Sequence, residues 1–110
     1  MTDMTDIYSG IEGKILVYHS TWCHKTAYYF RIIRQTEKTV VVQEMSTKIV
    51  RVYEHGGYED VIPNEEHACG KPRRMLKTFK LPRLVKGSVE SGTNHLKLWD
   101  GLPCREDPMF

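Results

Sequence analysis

The chain has 110 residues, 40% hydrophobic and 27% charged, with 16 Lys and Arg against 14 Asp and Glu and a formal net charge of +2. That length holds one domain with a single modest core and little spare volume for a deep active site. The charge is too small for a wholly basic chain and excludes an acidic DNA mimic, and no apolar run approaches the ~20 residues needed to span a bilayer.

In chain order, the opening MTDMTDIYSG lacks the basic and apolar regions of a signal peptide. Residues 14–18 (KILVY) read as a first short strand after Gly10 and Gly13, and residues 1–12 are expected to be frayed. Residues 27–34 (AYYFRIIR) and 39–45 (TVVVQEM) are aromatic and β-branched, and the polar link QTEK between them predicts a hairpin. Residues 48–54 (KIVRVYE) and 58–62 (YEDVI) form a second hairpin around His55-Gly56-Gly57, whose glycines supply the positive φ of a tight turn. Pro63 is expected to end that strand, because proline cannot donate to a ladder. A polar loop follows over 64–72, with a short helix over 65–77 as the weakest exclusion. Residues 75–81 (MLKTFKL) resume as a strand stopped by Pro82, 87–94 form a loop, 95–99 (HLKLW) make the last strand, and the tail 103–110 frays. The expected fold is mostly β: a single domain over 1–110, a small barrel or strongly bent antiparallel sheet of about six or seven short strands.

Within 27–34, Tyr28, Phe30 and Ile32 share one face and Ala27, Tyr29, Arg31 and Ile33 the other. Both faces are apolar or aromatic, which predicts a strand covered on both sides, or covered on one and ligand-facing on the other. Tyr29 beside Arg31 is the pair expected to turn outward, and Trp22 is either a core plug or an exposed anchor.

His19, Cys23, His24, His55, His67 and Cys69 could ligate a metal, yet no C-x2-C knuckle exists and the spacing fails the rule for structural zinc. Neither metal nor cofactor is expected. Three cysteines without repeated spacing, Cys23, Cys69 and Cys104, suit free thiols in a cytoplasmic protein. Cys23 and His24 are neighbours that point apart in an extended chain, and only a distant His67 or His95 could serve Cys23 or Cys104. With no G-x-S-x-G, H-E-x-x-H or P-loop, the chain is expected not to be an enzyme.

Residues 71–86 (KPRRMLKTFKLPRLVK) carry seven basic residues and no acid. Basic side chains beside stacking aromatics are what a nucleic acid or a phosphorylated small molecule requires. The expected ligand-binding residues are Arg73, Arg74, Lys77, Lys80 and Arg83 for phosphate, with Tyr29, Arg31 and Trp22 for stacking. Strand alternation places Arg74, Thr78 and Lys80 on one face and Lys77 with Phe79 and Leu81 on the other, so loop residues would have to complete a patch.

Four fragments carry a family likeness: Tyr18 with Thr26, YYFRI at 28–32, TEKTVVV at 36–42, and LWDGLP at 98–103. In these the chain resembles short uncharacterised β-rich proteins of phages and mobile elements, and departs from them in the basic middle segment. The resemblance implies a viral or plasmid origin, a host-cytoplasmic location and a compact β fold, and it carries over no activity. The function expected is a non-enzymatic binding protein that engages an anionic ligand. The alternative is an interaction module that inhibits or adapts a host protein in counter-defence, anchored by Trp22, Tyr58 and Trp99.

Overall fold

A computed structural model describes residues 8–20, 26–54, 57–80, 82–89 and 92–106, with nothing said of the side chains of Thr26, Phe79 and Lys80. Seven antiparallel strands form one sheet: β1 (Ile15–Ser20), β2 (Thr26–Gln35), β3 (Thr39–Val52), β4 (Glu59–Lys80), β5 (Arg83–Gly87), β6 (Asn94–Leu98) and β7 (Cys104–Glu106). Hydrogen bonds run from β1 through β2, β3, β4, β5 and β6 and back to β1, closing a ring without making a regular barrel. Closure removes most of the unpaired edge that an open sheet would present. No helix long and apolar enough to cross a membrane is present among the described residues.

Alternation along each strand fills the ring. Leu16, Phe30, Ile32, Val40, Val42, Met75, Val85 and Leu96 point inward and form the inner core. Tyr8 and Ile11 belong to it as well, each only 2% exposed. The Tyr8 hydroxyl bonds at the carbonyls of Thr78 and Leu84, and its own carbonyl accepts from Gln35 Nε2 at 2.8 Å. The N-terminal segment is therefore core from Tyr8 onward, where fraying was expected. A polar start such as YSGIEG hides this, because only Tyr8 and Ile11 of these six residues are buried.

The second core lies outside the ring. Ile15, Val17, Ala27, Tyr29 and Met45 form the outer face of β1–β3, and Val61 of β4 and Cys104 of β7 cover them. β7 pairs with the start of β4, from Glu59↔Glu106 to Val61↔Cys104, and Glu106 accepts from the Ala27 amide at 2.8 Å. The tail is a strand as far as Glu106, since its backbone groups find partners on β4.

The long hairpin of β3 and β4 corrects three expectations together. The runs at 39–45 and 48–54 join into one strand, Thr39–Val52, and no loop or helix occupies 64–72. Pro63 does not end β4; it pairs with Thr47, and residues 64–67 then bulge out opposite Ser46. A bulge is where a residue without an N–H is tolerated. A second bulge sets residues 70–72 against Gln43, with Gly70 at φ 68 supplying the left-handed turn. At the hairpin end, Tyr53 N–H donates to Tyr58 O at 2.9 Å and Gly57 has φ 71; His55 and Gly56 lie outside the described residues.

Gln43 fills the second bulge: its Nε2 lies 3.0 Å from Cys69 O, 3.1 Å from Gly70 O and 3.1 Å from Glu44 O. Gln43→Ala is expected to cost about 1 kcal/mol, the net worth of a partly exposed hydrogen-bond set. A lower urea midpoint with an unchanged m-value would show this, and an unchanged midpoint would mean that solvent replaces the amide.

Candidate functional site

Residues two apart on a strand face the same way. Leu96 and Leu98 of β6 pack on the inner core, so His95, Lys97 and the following Trp99 lie on the outer face. The neighbouring β5 adds two cations: Arg83 stands opposite Lys97, and Lys86 opposite His95. On the other side of β6, Val17 is the partner of Lys97, which sets His19 on the same face two residues along β1. Arg83, His95, Lys97 and His19, with Tyr18 and Pro82, enclose a groove of about 290 Å³. Among the described residues, none of Arg83, Lys86 and Lys97 forms an ion pair. Like charges directly opposed on adjacent strands are unfavourable.

A second cleft of about 260 Å³ shares Val17, His19 and Lys97 with the first and continues to Trp99, Asp100 and Cys104. The segment after β6 shapes it. Asp100 Oδ1 accepts from Leu102 N–H at 2.9 Å, and Trp99 Nε1 donates to Leu102 O at 2.8 Å. This tight turn, with Gly101 at φ 86, returns the chain to β7 and puts the Trp99 ring edge-on to Tyr29, centroids 5.8 Å apart.

Between the two concavities His19 Nε2 lies 3.1 Å from Cys104 Sγ. Sequence reasoning paired the cysteines with other histidines and missed this contact, because β1 and β7 meet only through the folded sheet. Burial pushes the Cys104 thiol up, and burial together with the Lys97 charge pulls His19 down. Both directions favour a neutral thiol beside a neutral imidazole, the opposite of the thiolate–imidazolium pair that a cysteine nucleophile uses.

The expected site residues separate. Arg73 and Lys77 share the inward face of Met75 and are engaged at opposite ends of the ring. Arg73 donates to Glu44 Oε1 at 2.8 Å and Ser88 O at 2.9 Å, and its guanidinium lies 5.0 Å from the Phe30 ring centre. Lys77 donates to Gln35 Oε1 at 2.7 Å over the Tyr8 ring, and burial lowers its pKa against the opposing effect of Glu37. Arg74 is exposed on the outer face opposite Val41. Thr78, expected beside Arg74, is buried, since the register shifts between Lys77 and Lys80. Lys80 pairs with Arg83 through its backbone. Of the expected phosphate-binding residues with described side chains, Arg83 alone lines the groove.

Tyr29, expected to turn outward, is fully buried: β4 and β7 cover its face, and its hydroxyl donates to Val61 O at 3.3 Å. Arg31 is paired with Glu65 of the 64–67 bulge, so neither residue is placed to stack a ligand. Trp22, Cys23 and His24 lie outside the described residues, while Cys69 is half-buried and Cys104 buried, both as free thiols. Sequence reasoning considered His95 only as a partner for a cysteine and Trp99 only as an anchor for a host protein, and it passed over Lys97, although the alternation in HLKLW places the three on one face. No protein-family model, curated protein or solved structure matches the chain.

Proposed function

We propose that this is a non-enzymatic binding protein, of phage or mobile-element origin, that engages an anionic ligand, nucleic acid or a phosphorylated small molecule, in the groove of Arg83, Lys97, His95 and His19. The observation that carries it is the opposed pair Arg83↔Lys97, with Lys86↔His95 on the next rung. A sheet that holds like charges face to face gives up stability, and a bound anion restores it. Long basic side chains are also the usual phosphate contacts.

The test separates binding from stability. Inorganic phosphate or pyrophosphate is expected to raise the melting temperature above that in chloride of equal ionic strength, by mass action on the folded state. Arg83→Ala is expected to melt slightly higher than the parent without ligand, by a few tenths of a kcal/mol, and to lose the anion-dependent rise. Arg73→Ala and Lys77→Ala are expected to do the reverse, losing stability and keeping the anion response, because their partners are Glu44 and Gln35. Binding to a nucleic acid should show a shallower salt slope in Lys97→Ala. The proposal fails if Arg83→Ala and Lys97→Ala respond to phosphate as the parent does.

A second reading, the host-protein interaction module, is favoured by a different surface. Ile49, Val50 and Val52 are 51%, 46% and 65% exposed on the far half of β3. Among the described residues no strand pairs with that edge beyond Met45, which leaves room for an added strand from a partner. Ile49→Lys should abolish capture of a host protein by this route and leave the phosphate response intact.

A further inference from the structure

We infer that the ligand of the basic groove is a nucleotide, with its phosphate between Arg83 and Lys97 and its base in the adjoining cleft against Trp99. This rests on the anion-binding reading and adds a second subsite to it. Three observations support it. The two concavities adjoin, because Val17, His19 and Lys97 line both. They differ in character: the first is walled by Arg83, His95 and Lys97, the second by Trp99, Leu102 and Pro103 with Asp100 among them.

That difference orients the ligand. In the second cleft Asp100 disfavours a phosphate and Arg105 is engaged by Asp60 and Tyr53, whereas a flat ring fits beside an indole whose N–H is already committed to Leu102 O at 2.8 Å. The spacing agrees as well. Lys97 and Trp99 are alternate residues on one face, about 7 Å apart along the strand, which suits a phosphate and a base joined by one sugar. Aromatic stacking accepts any base, so the site selects a nucleotide over a bare phosphate more strongly than it selects among bases.

The experiment titrates the full chain with AMP, CMP, ribose 5-phosphate and inorganic phosphate by calorimetry. AMP and CMP are expected to bind at least tenfold more tightly than ribose 5-phosphate, the factor that one stacked base supplies. Trp99→Leu should remove that advantage and leave the ribose 5-phosphate affinity as it was, while Arg83→Ala should weaken all four ligands. Trp99 also packs on Tyr29, so a second measurement uses the parent protein: the Trp99 indole N–H resonance, assigned with Trp99→Phe, should shift with AMP and not with ribose 5-phosphate. Equal affinities for AMP and ribose 5-phosphate, or an unmoved indole resonance, overturn the base subsite and leave the anion groove standing. Failure of all four ligands to bind overturns both.

Discussion

Replacing Tyr29 with alanine is expected to remove about 3–5 kcal/mol of stability, the cost of deleting a buried aromatic side chain. Tyr29 is 0% exposed and central to the outer core, where Met45, Val61, Cys104 and Trp99 surround it. The loss compares with total stabilities of about 5–15 kcal/mol for a domain, so much of the population would unfold. Phe30→Ala, on the opposite face of the same strand, should cost about as much through the inner core. Tyr29→Phe isolates the hydroxyl, which meets Val61 O at 3.3 Å, and should cost about 1 kcal/mol. Urea unfolding of the three variants checks these values. If Tyr29→Ala proved nearly neutral, β4 and β7 would not be packed on this face in solution.

Stability is also expected to fall steeply in alkali. Burial raises the pKa of Tyr29 and of Cys104; the contact with Cys104 raises Tyr29 further, the contact with Tyr29 partly offsets the rise at Cys104, and the carboxylates of Asp100 and Glu106 raise both. A raised folded-state pKa means that the folded chain keeps a proton which the unfolded chain releases. The stabilising contribution is therefore complete below the unfolded values, about 8.5 for a thiol and about 10 for a phenol. Above them it is lost, by up to about 1.4 kcal/mol per pH unit for each group, reduced where the adjoining open cleft screens the site. On the acid side His19 has the opposite sign. Its lowered pKa contributes stability above about 6.5, which fades as the pH falls through the folded value. Thermal melts between about pH 5 and pH 11 should trace a plateau near neutrality with a fall on each side. Tyr29→Phe and Cys104→Ala should each flatten the alkaline limb, and a parent curve that stays level through that limb would contradict the assignment.

The sequence by itself determined the class and most of the elements. β-branched and aromatic runs with polar or glycine-rich links led to an antiparallel fold of about six or seven strands, and both turn segments, QTEK and the one at Gly57, fall where expected, whereas β5 and β7 form where no strand was expected. Alternation in AYYFRIIR left open a strand covered on both faces or ligand-facing on one, and the fold takes the first: Phe30 and Tyr29 are each buried, in different cores. Local pattern could also have shown His95, Lys97 and Trp99 sharing a face.

Tertiary structure alone decided which face of β2 each cover occupies and which cations meet. Arg73 and Arg83 look alike in a basic run, yet one turns inward to Glu44 and the other outward to Lys97. The bulges opposite Ser46 and Gln43, and the register shift between Lys77 and Lys80, separate them, and Pro63 and Gly70 mark the bulges in the sequence without fixing the register. The contact of His19 with Cys104 joins residues 85 positions apart. It exists because β4 and β7 fold across the outer face of β1 and β2, a long-range packing choice made by buried area rather than by local preference.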